Sequence, residues 1–463
     1  IDSVDWANLF QRITNIQVAS ELRLYMVEVP PVGKRVMLKV DGPAGKTSHE
    51  GVVLPSAAEA HVTLKLQNGY NVSYPLEMID SFEEIEEQKT TNSASASAIE
   101  QNTSLPKVTI IHTGGTIASK VDYNTGAVIA RFEPEELLAS VPEILDIANI
   151  DSVKIGNMWS DDIRPQHWNA MIDACVAAFD SGSVGVVITH GTDTLHISAA
   201  ALAFAFAGEG ARPAGRIVFT GSQRSSDRAS SDASENLLSA VYWAARGPAV
   251  TGETDAAVTV MHASSGDGIC AVSPGLSVRK MHSTRRDAFK TINAEVLGEI
   301  HITKDGLSHT TTIGDQIRDV STPTKYDPSV RIAQFISGPH LHADLLKAAE
   351  DSGYSAIVIH GTGLGHLPIE NPMGDAPEND EIAKFLTQTK IPVIVANQCI
   401  NGPVDMNVYS KGRQQQEIGV LGHGSTSSPE ALMVKIHWAL SNGKDLSVLS
   451  QNLCGENIST LMK

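Results

Sequence analysis

The stretch VTIIHTGGTIAS, residues 108–119, decides how the rest of the chain is interpreted. A run of strand-forming residues leads directly into two glycines that are bracketed by threonines. Near-continuous apolar runs of this kind are typical of parallel strands that are covered on both faces of a sheet. The glycines allow a sharp turn that brings backbone N–H groups close to a ligand, and the threonines supply hydroxyls. The stretch therefore predicts a buried strand that ends in a turn able to contact a ligand.

The same alternation of apolar strands and amphipathic segments continues along the chain. The strand-like runs KVTIIHT, VGVVITH and GRIVFTGSQ are followed by PEELLASVPEILDIA, TLHISAAALAFAFAG and ASENLLSAVYWAA, respectively. This alternation predicts an α/β fold with a doubly wound parallel sheet over residues 106–322. A shorter set of alternating runs predicts a smaller C-terminal α/β domain over residues 323–463. The boundary is placed in STPTKYDPS, residues 321–329, which is rich in turn formers.

The N-terminal part has a different pattern of apolar and polar residues. Short β-rich runs such as KRVMLKV and GVVLPS, together with the hairpin signal Asn68-Gly69, predict a small β-barrel-like domain over residues 1–80. This domain is either a structural appendage or a docking module for a partner protein or RNA. Residues 81–105 begin with an acidic cluster and continue as a Ser/Ala/Thr/Asn tract, which predicts a linker with a possible short helix in its acidic part.

Composition narrows the class of protein. The 463 residues contain 42% hydrophobic residues, which is enough for packed cores, and carry a formal net charge of −18. A chain this acidic is not expected to be the main binder of a nucleic-acid backbone. The four cysteines show no CxxC spacing, so neither a metal site nor a disulfide framework is predicted. No signal peptide or membrane-length apolar run is visible, and a cytoplasmic protein is expected.

Three glycine-threonine turns follow predicted strands: HTGGT (112–116), HGTDT (190–194) and HGTG (360–363). Each turn taken alone is better explained as a turn with capping side chains than as a catalytic element. Because the carboxyl ends of parallel strands meet at one edge of a sheet, the first two turns are expected to lie together. The histidine that precedes each turn is expected to pack or hydrogen-bond rather than to bind a metal. The chain has neither a GxxxxGK[ST] phosphate loop nor a GxGxxG after the first strand.

TGGTIAS (113–119) followed by HGTDTL (190–195) resembles the paired signature of the L-asparaginase/glutaminase family. The resemblance extends through WSDD (159–162), FTGSQRSSDRASSDASENL (219–237) and SVRKMHSTRRDAFK (277–290), and covers about residues 107–440. It implies an asparaginase-like fold and hydrolysis of a side-chain amide.

By matching position, the resemblance implies the catalytic residues Thr116, Tyr123, Thr192, Asp193 and Lys280. Thr116 is the implied nucleophile and Tyr123 assists it, while Lys280 relays a proton with Thr192. The residues that contact substrate are expected to be Ser160, Asp161, Asp193 and Gly115, the last through its N–H at the oxyanion together with that of Thr192. The family often has Gln where this chain has Asp161, which leaves the preference for Asn or Gln open.

The β-rich extension, RKMHSTRRDAF and DMNVYSKGR (405–413) resemble a narrower branch, the tRNA-dependent amidotransferases of archaea. This resemblance implies a glutaminase subunit that releases ammonia for conversion of Glu-tRNA(Gln) to Gln-tRNA(Gln). It further implies a homodimer core, a kinase-like partner subunit that uses ATP and Mg²⁺ and contacts most of the tRNA, and no cofactor in this chain.

Other interpretations remain open at this stage. Lys280 lies beside Arg279, Arg285 and Arg286, so from the residues alone a solvated surface lysine is favoured. Arg285 and Arg286 are alternatively contacts for a partner or an RNA phosphate. The chain as a whole is alternatively a free-standing L-asparaginase/glutaminase with an N-terminal extension, or a scaffold protein that kept the fold without the activity.

Overall fold

The computed structural model describes residues 30–42, 45–56, 60–66, 71–85, 101–115, 119–121, 128–130, 141–225 and 230–458. The chain divides into two compact units. The smaller unit contains the N-terminal strands, and the larger unit contains the two α/β sheets.

The N-terminal unit is a five-stranded antiparallel sheet in the order β4-β3-β2-β1-β5. Its strands are β1 Arg35–Gly42, β2 Gly45–Leu54, β3 His61–Leu66, β4 Asn71–Pro75 and β5 Ile79–Glu84. The strands form because apolar and polar residues alternate, so that Val36, Leu38 and Leu64 point into one small core. Among the described strands no ladder joins β4 to β5, and closure into a barrel stays a prediction.

Strand β5 corrects one expectation about the predicted linker. Residues 81–84 were expected to begin a linker with a possible helix, yet they continue β5, which pairs with β1. The predicted hairpin at Asn68-Gly69 lies outside the described residues. The register of β3 with β4, in which Lys65 faces Asn71, flanks that position from both sides.

The larger unit is built on a mixed eight-stranded sheet in the order β17-β16-β13-β12-β11-β10-β6-β9. Its strands are β6 Lys107–Gly114, β9 Asn149–Met158, β10 Gly185–Thr189, β11 Arg216–Thr220, β12 Val258–His262, β13 Ile269–Pro274, β16 Gly298–Thr303 and β17 Gly306–Thr311. The first five in chain order are parallel, as predicted. The last three are antiparallel, so the predicted parallel arrangement holds for five of the eight strands.

Two further pairs of short strands are described, and the first of them falls largely within the smaller unit. They are β7 Ser119–Val121 with β8 Val128–Ala130, and β14 Val278–Lys280 with β15 Phe289–Thr291.

Helices cover both faces of the parallel strands. They are α1 Pro165–Asp180, α2 Leu195–Ala207 and α3 Ala233–Arg246. Successive residues of β10 alternate between the two cores: Ile188 packs with α1 and α2, whereas Val187 packs with α3. The segment 134–148 was expected to be helical; within its described part, Pro142–Asp146 forms a short 3-10 helix.

The C-terminal domain is smaller and wholly parallel. Strands β18 Ile332–Ile336, β19 Ala356–Gly361 and β20 Val393–Asn397 are surrounded by α4 Ala343–Asp351, α5 Pro377–Gln388, α6 Ser410–Glu417 and α7 Pro429–Ser441. Trp438 of α7 stacks on Phe204 of α2, which joins this domain to the first. None of the helices that the structure describes has both the length and the apolar character needed to span a bilayer.

Candidate active site

The ends of β6 and β10 form the centre of the candidate site. Gly115, just after β6, has a φ of +89°, and a Cβ added there would lie 2.4 Å from the backbone nitrogen of Gly191. Only glycine allows two turns to approach this closely in a left-handed conformation. The two predicted glycine-threonine turns therefore meet at one sheet edge.

Lys280 joins this edge from β14. Its Nζ donates hydrogen bonds of 2.8 Å to Oγ1 of Thr192 and of 2.8 Å to Oδ1 of Asp193. The Lys280 side chain is only 10% exposed, so it is not the solvated lysine that its arginine-rich surroundings suggest. The Asp193 side chain is 70% exposed, whereas Thr192 is buried. The ammonium thus lies between a buried hydroxyl and a carboxylate open to solvent.

Gln223 extends the series of hydrogen bonds that runs from Lys280 to Thr192, and the sequence analysis assigned it no role. The Thr192 hydroxyl accepts from Lys280 and donates to Oε1 of Gln223 at 3.3 Å. The Thr192 hydroxyl is therefore oriented by a donor on one side and an acceptor on the other. Gln223 lies in the TGSQ turn after β11, one strand beyond β10, and that position at the same sheet edge is the signal by which the sequence could have identified it.

Asp232 fixes the turn that carries Gln223. This carboxylate is fully buried and accepts hydrogen bonds from Ser222 Oγ at 2.9 Å and from the backbone nitrogens of Gln223 and Arg224 at 3.0 and 2.9 Å. Asn236 Nδ2 donates a further bond of 2.9 Å. Bonds to a charged acceptor are stronger than those between neutral groups, so the turn is held rigidly.

The predicted substrate-contact residues occupy a 3-10 turn, Ser160–Asp162, next to the HGTDT turn. Ser160 is buried, and a Cβ on Gly191 would lie 2.9 Å from its Oγ. Its carbonyl accepts a 2.5 Å hydrogen bond from the hydroxyl of Thr194. Asp161 is exposed. Ser160 and Asp161 therefore border the same turn as Thr192 and Asp193.

The predicted nucleophile and its assistant, Thr116 and Tyr123, lie outside the described residues. The described residue Gly115 itself lies against the Gly191 turn. The structure thus brings together Gly115, Ser160, Thr192, Asp193 and Lys280. The catalytic roles of all these residues stay predictions.

His190, the first residue of the HGTDT turn, is a buried structural residue. Its Nδ1 donates to the carbonyl of Gly191 at 2.7 Å, and its Nε2 accepts from Ser198 Oγ at 2.9 Å. Burial lowers the pKa of His190 to about 4, so the ring is neutral near pH 7. The neutral imidazole supports the backbone of the turn.

The third turn, HGTG at 360–363, lies in the C-terminal domain at the end of β19. His360 lines a cleft of about 460 Å³ together with Arg279, Gln334 and Asn397. Arg279 pairs with Glu430 at 3.0 Å. The third turn therefore lines a cleft that Arg279, the neighbour of Lys280 on β14, also lines.

Comparison with known proteins defines the class first. Residues 107–312 match the family model for the asparaginase N-terminal domain, and residues 331–452 match that for the glutaminase/asparaginase C-terminal domain. The thermostable L-asparaginase from Thermococcus kodakarensis superposes with a TM-score of 0.62 at 27% identity, covering 76% of this chain and 99% of that protein. The L-asparaginase I of Vibrio cholerae, 24% identical with a TM-score of 0.61, shares the fold. These matches define an asparaginase-type α/β protein.

Matches that extend beyond the two asparaginase domains define the family more narrowly. Residues 33–80 match the GatD N-terminal domain. The D-type subunit of the glutamyl-tRNA(Gln) amidotransferase of Methanococcus vannielii is 35% identical over 93% of this chain and 98% of that protein. Its counterpart from Pyrococcus abyssi is 36% identical over 92% of this chain and 94% of that protein. The chain belongs to the family of D-type subunits of glutamyl-tRNA(Gln) amidotransferase.

Proposed function

We propose that this chain is the glutaminase subunit of a tRNA-dependent amidotransferase that converts Glu-tRNA(Gln) to Gln-tRNA(Gln). The observation that carries the proposal is the bridge from Lys280 to Thr192 and Asp193 beside the Gly115–Gly191 contact. Membership of the D-type subunit family supports the same function.

In the proposed mechanism the Thr116 hydroxyl attacks the side-chain amide carbon of glutamine. Tyr123 assists removal of the hydroxyl proton, and the backbone N–H groups of Gly115 and Thr192 stabilise the tetrahedral oxyanion. The C–N bond then breaks and the leaving nitrogen takes up a proton, so that ammonia departs. Water hydrolyses the acyl-threonine to give glutamate and to restore the hydroxyl.

Lys280 and Thr192 move the proton in this scheme. The ammonium donates to the Thr192 hydroxyl at 2.8 Å, and Asp193 compensates its charge at the same distance. Because Lys280 is held by both partners, its ammonium stays beside the Thr192 hydroxyl without a side-chain rearrangement. Ser160, Asp161 and Asp193 are proposed to hold the α-amino and α-carboxylate groups of the substrate.

The partner is proposed to be the E-type subunit of the amidotransferase, which would use ATP and Mg²⁺ and contact most of the Glu-tRNA(Gln). Two features of this chain agree with that division. The formal net charge of −18 disfavours a broad RNA-binding surface, and the sequence contains no GxxxxGK[ST] loop for a nucleotide. Two copies of this chain are proposed to form the core of the complex, and the N-terminal strands are proposed to close into a small barrel.

The deciding experiment measures ammonia release from glutamine by the purified chain, with and without the E-type subunit and Glu-tRNA(Gln). The expected result is slow release by the chain alone and a large increase when both are added. Thr116→Val should abolish release in every condition. Vigorous, partner-independent hydrolysis of asparagine would instead favour a free-standing asparaginase and would contradict the proposal.

A further inference from the structure

A second cluster of polar side chains lies at the start of α3, separate from the Lys280 bridge. It consists of Glu235 in the first turn of α3, His262 at the end of β12 and Asp267 in the following loop. One ligand atom from each side chain lies within 4.8 Å of the other two. The His262 side chain is fully buried, whereas those of Glu235 and Asp267 are 29% and 72% exposed. The cluster is therefore open to solvent on one side only.

The hydrogen bonds around His262 fix which ring nitrogen carries the proton. Asn236 donates through Nδ2 to the Gly221 carbonyl and to Asp232, each at 2.9 Å, so its Oδ1 must act as an acceptor. Nδ1 of His262 lies 2.7 Å from that Oδ1 and therefore donates to it. The lone pair of the neutral ring is then on Nε2, which points into the cluster.

No hydrogen-bond donor among the described residues is directed at the lone pair of this Nε2. Across the part of the chain that the structure describes, it makes no hydrogen bond, although it is buried. It instead faces Oε2 of Glu235 at 3.2 Å, and that oxygen already accepts from the backbone nitrogen of Gly268. Two lone pairs at this distance repel each other unless a cation lies between them. The arrangement matches metal-binding histidines, whose other ring nitrogen is held by a carbonyl or carboxylate.

The charged groups around His262 are mostly acidic. They are three carboxylates, Asp232, Glu235 and Asp267, and one guanidinium, Arg286. Lys290 also lies nearby, donating to the Ala263 carbonyl, and it shares the carboxylate of Asp287 with Arg285. Three carboxylates around one imidazole favour binding of a cation at the cluster.

The distances suit coordination by three protein ligands. In a tetrahedral site with bonds of about 2.0–2.2 Å, neighbouring ligand atoms lie about 3.3–3.6 Å apart. The 3.2 Å separation of His262 Nε2 from Glu235 Oε2 lies just below this range, so a small side-chain adjustment would form one such edge. Asp267 is exposed and needs only a side-chain movement to close the other two. Its present partner is Arg286, whose Nη1 lies 2.5 Å from Oδ1.

We propose that Glu235, His262 and Asp267 bind one first-row divalent transition-metal ion of the zinc class. The imidazole ligand favours such an ion over Mg²⁺, which prefers oxygen ligands. Bound there, the ion ties the loop after β12 to the first turn of α3. It does so next to Asn236 and Asp232, which hold the turn that carries Gln223.

The test titrates the full chain, freed of metal by dialysis against a chelator, with Zn²⁺ or Co²⁺ in a calorimeter. One ion per chain should bind, and the visible spectrum of Co²⁺ should report coordination by nitrogen and oxygen. Asp267→Asn and His262→Gln should each weaken binding by at least about 10- to 100-fold. Because Asp267 is exposed, its variant should fold normally, which circular dichroism will verify.

Two further variants and one further ion sharpen the test. Arg286→Gln frees Asp267 and should tighten Zn²⁺ binding by about tenfold. His301→Gln is the matched control, since His301 forms an exposed His–Glu pair with Glu299 at 3.7 Å and should leave the affinity unchanged. The proposal is overturned by absent stoichiometric binding, by Mg²⁺ binding as tightly as Zn²⁺, or by unchanged affinity in the Asp267, His262 or Arg286 variant.

Discussion

Replacing Lys280 with methionine separates the proposed proton relay from mere packing, since the side chain keeps its length and loses its charge. The ammonium makes two hydrogen bonds of 2.8 Å. The one to Asp193 is largely solvent-exposed and contributes about 1 kcal/mol or less to folding. The one to buried Thr192 contributes about 1.5–3 kcal/mol. The variant should therefore remain folded, since domains are stable by about 5–15 kcal/mol.

The effect of Lys280→Met on catalysis should be larger than the effect on folding. A positioned proton donor accelerates a reaction by about 10²–10⁴-fold, which corresponds to about 3–5 kcal/mol of activation free energy. We expect kcat for glutamine hydrolysis, measured as ammonia release in the presence of the partner subunit and Glu-tRNA(Gln), to fall by that factor. KM should change far less, because the substrate contacts are proposed to be made by other residues.

Lys290→Met is the matched control for this experiment. Lys290 lies on the paired strand β15 and donates to the Ala263 carbonyl rather than to the Thr192 hydroxyl. Its loss should leave kcat within a few-fold of the unsubstituted protein. A folded Lys280→Met protein that retains more than about a tenth of the original kcat would refute the relay.

Three further predictions concern the scaffold. Gly115→Ala should lower the free energy of unfolding by about 2–5 kcal/mol and abolish glutaminase activity, because its Cβ would lie 2.4 Å from a backbone nitrogen. Gly182 has a similar φ of +90° with open space around it, so the control Gly182→Ala should lower the free energy of unfolding by about 1–2 kcal/mol. Equal losses for the two variants in urea unfolding would contradict the close contact at Gly115. Burial lowers the pKa of His190 from 6.5 in the unfolded chain to about 4 in the folded protein, so stability should fall as the pH drops through this window. His190→Gln should reduce the loss of unfolding free energy between pH 7 and pH 5 by about 2 kcal/mol. An unchanged dependence of stability on pH would exclude the buried neutral ring. Lys435→Met leaves the buried carboxylate of Glu456 without its cation, so the free energy of unfolding measured in urea should fall by about 3–5 kcal/mol. A loss below about 1 kcal/mol would show that backbone donors such as the Cys454 nitrogen alone support that carboxylate.

Sequence periodicity predicted the parallel part of the fold because buried strands and amphipathic helices carry distinct local patterns. It also predicted that the turns at Gly115 and Gly191 meet, since the carboxyl ends of neighbouring parallel strands share an edge. The placement of Lys280 was a different kind of prediction. It came from resemblance to a family, because the local surroundings of Lys280 indicate a surface residue.

Other features had no local signal. Residues 81–84 of strand β5 were assigned to a linker because they are acidic, yet charges are well tolerated on an edge strand, where Glu83 pairs with Lys39 at 2.7 Å. The antiparallel strands β13, β16 and β17 were missed because they are not followed by helices. Asp232 and His262 bind residues that are distant in the sequence. In the sequence, each of these polar residues looks like an ordinary loop or helix residue, so nothing local predicts the contacts.

These long-range contacts link the candidate active site to the proposed metal site. Thr192 donates to Gln223, whose turn is held by Asp232, and Asp232 accepts from Asn236, which in turn accepts from His262. Every member of this chain is buried or half-buried, so each hydrogen bond is made in surroundings where losing it is costly. Asn236 already holds Nδ1 of His262 as a donor, so a cation at Nε2 would anchor the far end of this series of hydrogen bonds. The position of Gln223 beside Thr192 is therefore coupled to a histidine outside the predicted set of substrate contacts.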